Sequence, residues 1–218
     1  MRRCLRLLVI TIVASFSLSA AAQQTVNRFD LFTGYSHLSS PSVKLGQNGF
    51  NTSFGVNAKR WLALGADFSI FTGDGAIPLS DTKIKAQVIP LLPPGVTNPD
   101  IPFSASTYTF AAGPQINIRH FDKVMFFVRP GLGMLHERAT LKGSLAAGLG
   151  PVLGLSLKQT DTTYFYGFGG GFDINASKHM GLRFSVDFVH TPLFNDLLEP
   201  RNAVRISVGP TFKWGELK

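Results

Sequence analysis

In Leu182-Arg183-Phe184-Ser185-Val186-Asp187-Phe188 every bulky apolar side chain has an even number and every polar one an odd number. A helix would scatter these residues around its circumference. A strand sends alternate residues to opposite faces, so this stretch reads as a strand with one greasy and one polar face. The period recurs along the chain. Phe50, Thr52, Phe54, Val56 and Ala58 oppose Asn51, Ser53, Gly55, Asn57 and Lys59, and Leu62, Leu64, Ala66, Phe68 and Ile70 oppose Ala63, Gly65, Asp67 and Ser69. Val204, Ile206, Val208, Pro210, Phe212 and Trp214 oppose Arg205, Ser207, Gly209, Thr211 and Lys213. The glycine-rich YFYGFGGGFDIN, residues 164–175, follows the same rule. Phe172 stands where a dinucleotide loop needs its third glycine, and no helical pattern follows, so this stretch too is a strand.

Eight such segments are predicted, at 27–38, 49–59, 62–72, 106–119, 124–136, 162–175, 180–190 and 203–214. Each has about the ten residues that a tilted membrane-spanning strand requires, and bacterial outer-membrane barrels have even strand numbers. The connections alternate. Tight turns (RW, HFDK, ASKH) follow the second, fourth and sixth segments, and longer loops at 39–48, 73–105, 137–161 and 191–202 follow the others. Short periplasmic turns and long external loops sort themselves in this way.

Alternation alone fits a soluble sandwich as well as a membrane barrel. Three features favour the barrel. Only 16% of residues are charged, and the polar faces are made of Gly, Ser, Thr and Asn rather than the Lys and Glu of a water-facing surface. The apolar faces are bulky in every strand. Trp61 and Trp214 both fall at the short-turn end, where an aromatic belt marks the headgroup level; strict counting gives Trp61 inward parity, so the turn has to reorient it. In hydrocarbon every backbone N–H and C=O needs a partner, which only a closed sheet gives to strands. The expected fold is therefore all-β, an eight-stranded antiparallel transmembrane barrel.

The chain opens MRRCLRLLVITIVASFSLSAAAQQ, with a basic start, an apolar run too short to span a membrane and small residues at 20–22. This pattern predicts a secretory signal peptide at 1–22 and a barrel domain at 23–218. Cys4, the only cysteine, lies in the leader, so no disulfide is expected in the exported part. The formal charge of +8 falls to +5 without the leader's three arginines. No basic run accompanies it, so nucleic acid is not an expected partner, and attraction to an anionic lipid surface accounts for the charge at least as well.

At FDLFTGYSHL, GFNTSFGVNAKRWLALGADFS and GGGFDIN the chain resembles the outer-membrane β-barrel domain family, the small OmpA/OmpX-like barrels. The resemblance spans the exported part and rests on motifs of low chemical specificity: GYS in the first strand, a tight turn then an inward Asp in the third, G-x-D in the sixth. It implies the outer membrane of a Gram-negative-type bacterium, a porin-like, adhesive or structural role, and assembly by the barrel-assembly machinery. Such barrels often end on an aromatic residue read by that machinery, a pattern from which Gly215-Glu216-Leu217-Lys218 after Trp214 departs. No peptidoglycan-binding domain is expected.

The inward positions carry Asp30, Asp67, Arg129, Asp173, Arg183, Asp187 and Arg205. Counted from the short turns, Asp67, Arg129, Asp187 and Arg205 fall near mid-height, and Asp30, Asp173 and Arg183 lower. Charges in a narrow interior must be paired, and an eight-stranded lumen is just filled by side chains, so a plugging network of ion pairs is expected. Neither cofactor nor metal is expected, because His37, His120, His136, His179 and His190 have no ligand spacing. Catalysis is not expected either: His190 near Thr191 and Asp196, and His136 beside Glu137, sit at the outer rim with no serine at motif spacing. Three readings remain: a structural or interaction barrel with lipid around it and an external partner at loops 73–105 and 137–161, a small porin-like channel, and a lipid A-modifying enzyme.

Overall fold

A computed structural model describes residues 26–83, 85–92, 99–121, 123–143, 156–196 and 198–217. The predicted leader at 1–22 lies outside these residues, as do parts of both long external loops. Eight strands close into one antiparallel barrel, each bonded to the next and β8 to β1. They are β1 Asn27–Ser40, β2 Leu45–Asn57, β3 Leu62–Pro78, β4 Asp100–Ile118, β5 Val124–Leu141, β6 Lys158–Asn175, β7 Met180–Thr191 and β8 Arg201–Glu216.

Burial runs opposite to that of a water-soluble protein. Leu132 is 71% exposed and Phe168 63%, while Asp187 and Arg205 are each 6% exposed. The apolar side chains ring the outside from the short turns up to a boundary where the outward residue becomes polar. That boundary passes through His37, Asn48, Thr72, Ser106, Thr162 and His190. In β7 the apolar-faced stretch below it, 180–189, is about as long as one tilted crossing. All four tyrosines, Tyr35, Tyr108, Tyr164 and Tyr166, are exposed just below this boundary. Both tryptophans mark the opposite edge. Trp214 stacks on Phe29 (5.9 Å), and Trp61 sits in the turn between β2 and β3, fully outside the strand count that had given it inward parity. Aromatic belts at both interfaces anchor a barrel in the bilayer.

Several predicted strand limits are corrected. β3, β4, β5 and β6 run to Pro78, Asp100, Leu141 and Lys158, well into the stretches expected to be loops, so the long connections shrink to 79–99 and 142–157. The alternation continues past the membrane but its polarity inverts. Thr72, Asp74, Arg138 and Thr140 now face out, while Ile77, Phe103, Ala105, Ala139 and Leu141 pack inside with Val43, Leu45 and Leu198. Outside the bilayer the surrounding solvent is water, so the apolar side belongs indoors. The first external loop, expected at 39–48, is also a tight turn: a short 3-10 helix, Pro41–Val43, closed by Lys44 in the left-handed region (φ 44°). The strict alternation of short and long connections therefore fails there.

The β4–β5 seam has a local break. The ladder pairs Ala112 with Leu132 and Ile116 with Val128, and the shared register sets Pro114 opposite Pro130 between them, with no pairs at 113–115. Neither proline has an N–H to give to the ladder.

Candidate functional site: the charged lumen

Inward parity gathers the charged side chains into layers stacked along the barrel axis. In the lower layer β7 and β6 set Arg183 directly opposite Asp173. Arg183 Nε donates to Asp173 Oδ1 (2.6 Å) and Nη2 to Asp30 Oδ1 on β1 (3.3 Å). Its guanidinium carbon lies 4.8 Å from the Phe127 ring centroid, a cation–π contact that covers the apolar side of the plane. Lys213 of β8 completes the layer, 3.0 Å from Asp173 Oδ2 and donating to Asn175 Oδ1 (2.5 Å).

The middle layer spans the lumen. Arg129 on β5 grips Asp187 on β7 with two bonds, Nε to Oδ1 (3.0 Å) and Nη2 to Oδ2 (2.9 Å). Arg205 on β8 donates through Nε to Asp187 Oδ2 (3.1 Å) and through Nη1 to Asp67 Oδ1 on β3 (2.7 Å). Asn51 of β2 donates to Asp67 Oδ2 (2.7 Å). Five strands thus share one bonded unit. An upper layer joins Arg201 Nη2 to Glu137 Oε1 (3.0 Å), with the Thr107 hydroxyl donating to Glu137 Oε2 (2.9 Å).

The ion-paired charges balance within each layer: Arg183 and Lys213 against Asp30 and Asp173, Arg129 and Arg205 against Asp67 and Asp187, Arg201 against Glu137. Arg119, half-buried at the lower mouth, adds a cation that reaches the lower layer through Asn57. A buried ion left over would cost several kcal/mol, so neutrality layer by layer is the arrangement a narrow interior demands. The seven residues singled out in the sequence all lie in the lower and middle layers. Lys213, Glu137 and Arg201 were not singled out. Lys213 had the right parity and could have been found by it. Glu137 and Arg201 fell at the rim or in a predicted loop, on strand ends where the polarity has inverted.

Gaps between the layers are small. A cavity of about 60 Å³ lies beside the middle layer, against Gly65, Gly113, Gly131 and Gly167. Smaller space, about 30 Å³, lies between Arg205 and Arg201, and about 70 Å³ lies above Arg201 among Ile77, Ile101, Phe103, Leu141 and Phe194. The β7–β8 connection folds over the external mouth. Leu193, fully buried, packs on Ala111, Leu135 and Phe165 inside the barrel. The backbone N–H of Phe194, in the left-handed region (φ 53°), donates to Asp161 Oδ2 (2.6 Å).

The rim histidines do not assemble a catalytic set. His190 Nδ1 lies 2.8 Å from Asn202 Oδ1 and His136 Nδ1 lies 2.7 Å from Thr162 Oγ1. His136 is on the outer face of β5, while Glu137 points into the lumen. Among the described residues no group of three or more His, Cys, Asp or Glu side chains is placed to hold a metal ion.

A closed antiparallel barrel with apolar residues outside, paired charges inside and aromatic belts at two levels is a membrane-spanning β-barrel. The chain belongs to the outer membrane protein beta-barrel domain family, whose model matches residues 8–212, and family membership implies the outer membrane of a Gram-negative bacterium. In fold it is similar to Neisserial surface protein A, with a TM-score of 0.54 at 14% identity over 85% of this chain and 97% of that one. It is likewise similar to OprG from Pseudomonas aeruginosa, with a TM-score of 0.55 at 10% identity over 88% of this chain and 97% of that one. No match to the chain is found among curated proteins.

Proposed function

We propose that the protein is a non-enzymatic envelope barrel, exported under a leader at 1–22, whose lumen is plugged and whose activity lies in its external end. The observation that carries this reading is the middle layer. Arg129, Asp187, Arg205 and Asp67 reach across the lumen from β5, β7, β8 and β3, and no ion can pass without breaking bonds among buried charges. The capping of the mouth by Leu193 and Phe194 supports it. What remains accessible among the described residues is the water-facing wall of β3–β6 beside the connections 79–99 and 142–157, where an external partner would dock. Planar-bilayer recording tests the reading: the purified protein gives no steady open-channel current. Stable unitary conductance in the wild type would contradict it and favour the small porin-like alternative. Lipid A mass shifts on overexpression would contradict its non-enzymatic part.

A further inference from the structure

The two ends of the barrel treat their surface cations differently. At the external end the surface cations sit among Asp74, Asp100, Asp161, Asp196 and Glu199, and Lys44 pairs with Asp100 (2.5 Å) and Lys142 with Asp74 (2.8 Å). The short-turn end carries Arg28, Lys59, Arg60, Arg119, Lys123 and Lys178 against one carboxylate, Glu216, among the described residues. The opposite charges of Asp122 and Lys218, outside them, cancel. Among the described residues Arg28, Lys59, Arg60 and Lys178 have no carboxylate within the 4.0 Å of an ion pair. Cations left without a carboxylate, as Arg28, Lys59, Arg60 and Lys178 are among the described residues, make an anion-binding surface.

Its sharpest part is where two turns meet. Arg119 Nε donates to the Arg60 carbonyl (2.9 Å) and Nη2 to the buried Asn57 Oδ1 (3.0 Å), so its guanidinium is turned into the barrel mouth. The Asn117 N–H donates to the Trp61 carbonyl (2.8 Å), so the turn at 58–61 and the one after β4 are stitched side by side. Lys59 Nζ stands 5.9 Å from the Trp61 ring centroid, which holds the ammonium at the level of the indole. Trp61 and Phe121 are both more than half exposed. Adjacent exposed cations, flanked by aromatics that seek the boundary between acyl chain and headgroup, match a phosphodiester lying at that boundary.

We propose that Lys59 and Arg60, stitched in place by Arg119 and framed by Trp61 and Phe121, form a binding site for the phosphate of an anionic phospholipid in the inner leaflet of the outer membrane. The site selects a net-negative headgroup, because the ammonium of a zwitterionic one is repelled by the same two cations. A cell-wall partner is the poorer fit, since it would leave Trp61 and Phe121 in water. The proposal rests on the periplasmic placement of the short turns and not on the plugged lumen.

The protein's own tryptophans supply the probe. With Trp214→Phe, Trp61 is the sole indole of the chain. The protein is inserted in phosphatidylcholine vesicles containing equal minor fractions of either brominated phosphatidylglycerol or brominated phosphatidylcholine, and quenching is compared. Quenching by brominated phosphatidylcholine reports insertion itself, and its absence would overturn the barrel reading and this proposal together. Stronger quenching by brominated phosphatidylglycerol is expected, with the preference falling roughly fivefold at low salt for each cation removed in Lys59→Gln and Lys59→Gln/Arg60→Gln. Equal quenching by the two lipids, or a preference unchanged in the double variant, would overturn the proposal. So would loss of the preference on adding inorganic phosphate or soluble peptidoglycan fragments, which would reassign the rim to those ligands.

Discussion

Arg205 Nη1 lies 2.7 Å from Asp67 Oδ1 although the two residues are 138 positions apart and two other strands separate β8 from β3 around the wall. The bond therefore crosses the lumen, and it can form only once the barrel has closed. Arg205→Met keeps the stem and removes the charge, leaving Asp67 and Asp187 with Arg129 alone. The expected loss is about 3–5 kcal/mol in the unfolding free energy measured in lipid vesicles. Arg205→Met/Asp67→Asn is expected to cost less than the sum of the single changes, because the second removes an anion that the first strands. A loss under about 1 kcal/mol for Arg205→Met would contradict a structural role for the layer.

Two lumen glycines form a matched pair for testing how tightly that layer is held. A Cβ built on Gly169 would overlap the Asp187 carboxylate, which takes three bonds from Arg129 and Arg205, whereas a Cβ on Gly131 meets nothing within 4 Å. Gly169→Ala is expected to destabilise by about 1–3 kcal/mol, and Gly131→Ala to be neutral or to stabilise by about 0.4–1 kcal/mol. Equal effects in equilibrium unfolding would contradict the packing described.

The facing prolines of the β4–β5 seam lead to an opposite expectation. Pro114→Ala/Pro130→Ala restores two donors where the ladder is open. A gain of about 1 kcal/mol per bond is expected, with the new amides at 114 and 130 protected from exchange. Unprotected amides at both positions would show that the seam is held open by something other than the missing N–H groups.

The polarity switch at the outer boundary predicts that one substitution has two costs. Leu132→Arg places a charge on the lipid face near mid-height, at about 2–4 kcal/mol. Thr140→Arg, on the same strand and of the same parity but above the boundary, is expected to be near neutral. Similar costs by denaturant titration would remove the boundary from between them.

Much of this architecture was legible because the side-chain period of a strand is 2 whatever surrounds it. The alternation placed Asp67, Asp173, Asp187 and Arg205 indoors, and counting from the short turns separated the lower from the middle layer. The reading failed where the solvent changed rather than the backbone. Above Thr72 and His136 the apolar residues move to the inside, so Ile77, Phe103 and Ala139 do not match the template and the predicted strands stop short of the observed ends. Glu137 and Arg201 were lost with them. Leu193 and Phe194 carry no periodic signal at all. Their seat in the mouth depends on Phe165, Leu135 and Asp161, which only the closed barrel brings within reach.

The most direct test is collision accessibility along β5. Single cysteines, each spin-labelled in a Cys4→Ser background, replace residues 128 to 140 one at a time, and relaxation by dissolved oxygen and by a nickel chelate is compared in vesicles. The account predicts oxygen-rich, nickel-poor signals at 128, 130, 132 and 134, protection from both reagents at 129, 131, 133 and 135, and nickel exposure at 138 and 140. Nickel exposure at 130 and 132, with the odd positions buried in lipid, would turn the barrel inside out and contradict it.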